Sequence, residues 1–146
     1  MNKEFKWPDG NRCAVMLSFD VDGETGWANG NKGLKNGDLY LKSLSIGRYE
    51  HKRSVGEILN LLEKHDIKAT FFIPGWIVEN YPKLIEKIVF KGHEIGHHGY
   101  THERFYDKTY EEQVEIIDKS QDLLEKIVGK RATGFRTIFS NKSCDL

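Results

Sequence analysis

Ala69-Thr70-Phe71-Phe72-Ile73, closed by Pro74, is a β-branched and aromatic run too short for a helix, and it reads as a buried strand. Just upstream, Val55, Ile58, Leu59 and Leu62 recur at helical spacing to about His65. They follow Ser54-Val55-Gly56-Glu57, whose spacing is that of a capping box and predicts a helix start at Ser54. Further upstream, after a Pro8-Asp9-Gly10 turn, Cys13 to Phe19 is a nearly continuous apolar run, as expected for a strand buried on both faces. Strand, helix and strand make one β-α-β unit.

The alternation continues downstream. Pro82 suits a first helical turn, Leu84, Ile85, Ile88 and Val89 make one apolar face, and Gly92 is a C-terminal stop. Thr109-Tyr110-Glu111-Glu112 forms a second capping box, with Tyr110, Val114, Ile117, Leu124 and Val128 tracing one stripe to Gly129. A fourth strand is expected near Thr133. Residues 23 to 53, rich in glycine and without sustained period, read as a long loop that covers a site. The pattern predicts an α/β fold: parallel strands with right-handed helical crossovers, either open or curling into a barrel.

With 146 residues and 38% hydrophobic residues, the chain is the size of one domain, expected to span 1–146. Lys plus Arg and Asp plus Glu both total 22, and no basic stripe is present, which argues against nucleic acid as a partner. No signal-peptide-like start and no run of about 18 apolar residues occurs, so a soluble, cytoplasmic protein with no membrane partner is the expectation. Cys13 and Cys144 form no CxxC pair and read as ordinary thiols rather than ligands.

Four of six histidines fall in His93-Glu94-Ile95-Gly96-His97-His98-Gly99-Tyr100-Thr101-His102, while Asp20-Val21-Asp22-Gly23-Glu24 closes the first apolar run. In a parallel sheet the C-terminal ends of the strands form one rim, so these two segments meet although about 75 residues separate them. Imidazole and carboxylate suit zinc and similar ions, and His98 and His102, four apart, can reach one ion from a loop. Turn chemistry alone also accounts for the Asp-rich segment, and histidine pairs at this spacing are common on surfaces.

Ser18-Phe19-Asp20-Val21-Asp22-Gly23-Glu24, followed by Gly92-His93-Glu94-Ile95-Gly96-His97-His98-Gly99-Tyr100-Thr101-His102-Glu103, resembles the first two motifs of the polysaccharide deacetylase family (NodB-like, carbohydrate esterase family 4). Lys68 to Gly75 resembles that family's second strand, and the whole resemblance runs from about residue 12 to 136. The closest branch is the intracellular one with peptidoglycan-deacetylase-like and allantoinase-like members. The resemblance implies a NodB-type (β/α) barrel, here incomplete. It implies that Asp22, His98 and His102 bind a divalent metal, zinc first, with nickel and cobalt suiting the same ligands, and that Asp20 is the general base. Gly134-Phe135-Arg136 resembles the start of the third motif, whose arginine holds the catalytic aspartate.

The resemblance then breaks. Arg136-Thr137-Ile138-Phe139 lacks the family's proline, and the tail to Leu146 resembles nothing in it, as expected of a truncated or frame-shifted product. His93 and His97 match no ligand position and read as supporting or surface groups, and Glu24 reads as a solvated loop acid, with a hydrogen bond behind the ligands as the alternative. The implied function is metal-dependent hydrolysis of a non-peptide C–N bond, with an N-acetylated sugar, polysaccharide or small amide as substrate. Activity of this chain alone is expected to be weak or absent. The alternatives are a non-catalytic metal-binding remnant, a homo-oligomer that covers its open strand edge, and an allantoinase-like amidohydrolase acting on a ureide.

Overall fold

The computed structural model describes residues 6–28 and 41–138. Three short parallel strands, β1 (Ser18–Asp20), β2 (Thr70–Ile73) and β3 (Glu94–His97), lie side by side in the order β1-β2-β3. The register aligns Phe19 with Phe71 and Phe71 with Ile95, and the next row aligns Asp20, Phe72 and Gly96. Successive side chains of a strand point to opposite faces. Accordingly Phe71 and Ile73 are fully buried, whereas Thr70 and Phe72 are half-buried.

The helices are α1 (Thr25–Ala28), α2 (Leu41–Tyr49), a π turn (Glu50–Ser54), α3 (Val55–Lys64), α4 (Gly75–Asn80), α5 (Pro82–Phe90) and α6 (Tyr110–Val128). Val55, Leu59 and Leu62 of α3, Ile77 and Val78 of α4, Ile85 and Ile88 of α5, and Leu124 of α6 join Phe71, Ile73 and Ile95 in one core. Each such side chain contributes about 1.5–3 kcal/mol on leaving water, so β2 and the helical stripes hold the sheet. The helical faces read for residues 55–62 and 84–89 match the sequence, and Pro82 sits in the first turn of α5. No helix of the described residues is long and apolar enough to cross a membrane.

The strand expected over Cys13 to Phe19 is shorter and less covered than its composition implies. Only Ser18–Asp20 pairs, and Val15 and Met16 are 82% and 92% exposed. Among the described residues β1 has a strand neighbour on one edge, β2, and of the preceding run Leu17 is tied to it, its carbonyl accepting from Thr70 N at 3.0 Å. Cys13 is a free, exposed thiol, while Cys144 lies outside the described residues.

The loop expected over residues 23 to 53 is partly helical. Residues 41–64 form one continuous helical stretch through α2, the π turn and α3, while residues 29–40 lie outside the described set. Ser54 therefore has helical φ and ψ of −57° and −48°, and its hydroxyl caps nothing. Glu57 instead accepts from Arg53 one turn earlier, at 2.7 Å. Ser-x-x-Glu describes a cap only when the preceding residues leave the helix, and here they continue it.

At α6 the capping box forms as expected. The Thr109 hydroxyl accepts from Glu112 N at 3.3 Å, the Glu112 carboxylate accepts from Thr109 N at 2.8 Å, and Gly129 ends the helix at φ 78°. The buried face differs from the apolar stripe: Tyr110 is exposed, and Gln113 and Ser120 are buried with Leu124. Ser120 is small enough to let α6 approach α4, where its Oγ lies 2.5 Å from the Cβ position of Gly75. The strand expected near Thr133 is a single parallel bridge between His97 and Phe135, made by His97 N donating to Gly134 O at 2.7 Å and Arg136 N donating to His97 O at 3.0 Å.

Candidate metal centre

β1 and β3 end at the same rim. Asp20 closes β1, and the chain turns through Asp22-Gly23-Glu24, with Thr25 N and its hydroxyl donating to Asp22 O at 3.0 and 2.6 Å. His98 follows β3 directly. The loop from His98 to Glu103 folds around the Glu103 carboxylate, which accepts from Tyr100 N, Thr101 N and the Thr101 hydroxyl at 2.8 Å each. Gly75 N donates to Gly99 O at 2.9 Å and Trp76 N to Tyr100 O at 2.8 Å, which ties the loop to α4. So held, His102 takes φ 63°, a left-handed conformation that costs a residue other than glycine energy and is found where the surroundings enforce it.

These two loops bring Asp22, His98 and His102 together, with one ligand atom from each lying within 4.8 Å of the others. Asp22 Oδ1 is 3.5 Å from His98 Nε2, and Oδ2 is 3.3 Å from His102 Nε2. Ligands about 2.1 Å from a zinc ion in tetrahedral arrangement stand roughly 3.4 Å apart, so the spacing fits one ion. His98 Nδ1 lies 2.7 Å from the Arg136 carbonyl, which can only accept, so Nδ1 donates there and the ring turns Nε2 to Asp22. Asp22 Oδ1 is buried and has no hydrogen-bond partner. A buried carboxylate oxygen without a hydrogen-bond partner, facing an imidazole nitrogen, suits a cation between them. The donor set of two imidazoles and a carboxylate fits a divalent metal.

Asp20 stands beside this group. Its Oδ1 accepts from Arg136 Nη1 at 2.5 Å, while Arg136 Nη2 donates to the Ser18 hydroxyl at 2.6 Å and the guanidinium lies over the Phe72 ring, 4.0 Å from its centre. Arg136 thus holds the Asp20 carboxylate although the two lie 116 positions apart in sequence.

His93 and His97 are not surface groups. His93 is buried beside Phe71, and its Nδ1 accepts from Ala69 N at 3.3 Å. Burial, then the nearby Lys68 and Lys91, push its pKa below the ordinary value. His97 is fully buried against Phe135, with Nδ1 accepting from Gly99 N at 3.4 Å. Burial, then His98, lower its pKa to about 4.

Glu24 is not a solvated loop acid either. It is 6% exposed, and Oε1 accepts from Tyr81 OH at 2.9 Å and Arg48 Nε at 3.2 Å, while Oε2 faces His51 Nδ1 at 3.6 Å. His51 stacks on Tyr81, and its pKa is lowered by burial against the raising effect of Glu24. Glu50 accepts from Gly23 N at 2.7 Å, and burial raises its pKa to about 7, with Asp22 and Asp20 contributing. Glu50 and His51 fall within residues 23 to 53, whose lack of a sustained period reads as loop and marks neither of them.

Comparison with known proteins accords with this geometry. A polysaccharide deacetylase family model matches residues 43–143. A peptidoglycan deacetylase-like protein of Gibberella zeae is 35% identical over 127 residues, covering 86% of this chain and 37% of that protein. A peptidoglycan deacetylase of Helicobacter pylori is 31% identical over 121 residues, covering 83% of this chain and 40% of that protein. A solved structure from Mycobacterium smegmatis, assigned to the polysaccharide deacetylases, superimposes with a TM-score of 0.80 at 30% identity, covering 90% of this chain and 45% of that one. The chain spans about two fifths of the length of the curated relatives it matches.

Proposed function

The chain belongs to the polysaccharide deacetylase family, and from that premise we propose that it is a metal-dependent hydrolase that removes acetyl groups from an N-acetylated sugar or polysaccharide. The observation that carries this reading is one rim at which Asp22, His98 and His102 converge beside an Asp20 carboxylate tethered by Arg136. One relative is named a peptidoglycan deacetylase and another peptidoglycan deacetylase-like, which makes a glycan bearing acetamido groups the first substrate to try.

Asp22, His98 and His102 would hold the ion, zinc first, with nickel or cobalt suited to the same donors. A divalent ion in such a site supplies Lewis acidity, lowering the pKa of water toward neutrality and polarising an amide carbonyl. The chain's own residues do the rest. Arg136 Nη1 fixes Asp20 through Oδ1, which turns the carboxylate toward the rim as acceptor for the proton of the attacking water. The Arg136 carbonyl fixes the His98 ring, so the same residue orients a base with its side chain and a ligand with its backbone. Water adds to the acetamide carbon as Asp20 takes its proton, and the C–N bond breaks as the departing nitrogen gains a proton, from Asp20 or solvent, leaving acetate and a free amine.

Acetate release from chitooligosaccharides by the metal-loaded chain tests the reading. Release is expected, at a rate that depends on how the departing amine is protonated, a step to which a general acid contributes about 10² to 10⁴-fold. Asp20→Asn should lower the release by about 10² to 10⁴-fold while the protein still takes up metal. Release at the wild-type rate after this substitution contradicts the proposal. Metal uptake with no turnover favours a binding module, and ammonia or urea from ureides favours an allantoinase-like reaction.

A further inference from the structure

The acidic loop and the π turn hold each other by exchanged carboxylates. Glu50, the first residue of the π turn, accepts from Gly23 N at 2.7 Å, next to Asp22. In return Glu24 enters the helical side, where Arg48 Nε and Tyr81 OH donate to its Oε1 and His51 faces its Oε2. The two backbones touch between these contacts: a Cβ on Gly47 would lie 2.5 Å from Gly23 O and 2.9 Å from Glu24 Cα. Gly23 itself sits at φ 53°, so the loop's own conformational preference leaves the direction of Asp22 weakly determined. Neighbouring side chains on an α-helix diverge by about 100°, and the wider π turn is where both Glu50 and His51 meet the same loop. Such interruptions recur at functional sites.

Resting on the metal reading above, we propose that Glu50 is a positioning residue for Asp22: by accepting the Gly23 N–H from the π turn, it sets the loop so that the Asp22 carboxylate meets His98 and His102. Groups that orient a ligand from behind typically change metal affinity 10- to 100-fold when removed. Glu50 acts on the backbone beside the ligand rather than on the ion, so its effect reaches the metal-free protein as well.

The test uses two measurements on the wild type, Glu50→Ala and Glu50→Gln: hydrogen exchange at the Gly23 amide in the metal-free chain, and the Co²⁺ dissociation constant by chelator competition. Glu50→Ala should lose protection at Gly23 and bind Co²⁺ about 10- to 100-fold more weakly with an unchanged circular dichroism spectrum. Glu50→Gln, which keeps an acceptor oxygen, should recover most of both. Unchanged Gly23 protection or unchanged Co²⁺ affinity in Glu50→Ala overturns the proposal. If Glu50→Ala does not fold, Gly47→Ala pushes the helix off the same loop, and wild-type Co²⁺ affinity there overturns it equally. A wild-type chain that takes up no Co²⁺ defeats the metal reading, and the Gly23 amide then decides the role of Glu50 alone.

Discussion

His93 and His97 differ from His98 and His102 although all four lie within ten residues. The first two each use Nδ1 to accept a backbone N–H, from Ala69 and Gly99, and burial beside Phe71 and Phe135 lowers the pKa of each. The second two turn Nε2 to a carboxylate. The boundary between the pairs is the end of β3 at His97. What an imidazole does here follows from which side of a strand terminus it occupies, because only the rim gathers groups from separate strands.

The sharpest way to break this comparison is to remove a rim histidine. His98→Ala should weaken metal affinity by more than about 100-fold, beyond what loss of a supporting group does, as read by chelator competition. Next, Asp20→Asn should lower acetate release by about 10² to 10⁴-fold with metal affinity retained. Arg136→Gln removes a charge-assisted contact of the kind worth about 1.5–3 kcal/mol, which corresponds to a loss in turnover of roughly 10- to 100-fold.

The buried pair is sharpened by pH. The lowered pKa of His93 means that the unfolded chain binds more protons than the folded one between pH 6.5 and that lower value. Its stabilising contribution is therefore fully present above pH 6.5 and lost as pH falls through the folded pKa. Thermal unfolding followed against pH should show a shallower acid decline in His93→Gln than in the wild type, and an identical decline would contradict the assignment. The smallest effect is expected at His97→Asn, where metal affinity should change little, since that ring faces Phe135 rather than Asp22.

The parts of the fold legible in the sequence were those whose signal is a repeated apolar spacing or a local cap. Val55 to Leu62, Ile85 with Ile88, and the Thr109–Glu112 box all behave as their patterns imply. Helix α2 gave no such signal because, among its described side chains, the buried one is Gly47, which serves a close approach to Gly23 rather than an apolar stripe. For the same reason Ser54-Val55-Gly56-Glu57 read as a beginning when it is a middle. At the site, the convergence of the two loops followed from topology, while the set of Asp22, His98 and His102 and the Asp20–Arg136 contact were implied by the family resemblance. Glu24, Glu50, His51 and Tyr81 did not, since their contacts join residues 24 to 57 positions apart with no local pattern to announce them.

The central claim is that two imidazoles and one carboxylate from distant segments share a cation. X-ray absorption at the zinc edge of the zinc-loaded chain tests it most directly. The account predicts one ion per chain with two imidazole nitrogens in its shell, falling to one in His102→Ala. A zinc environment without imidazole, or one unchanged in both His98→Ala and His102→Ala, would contradict it.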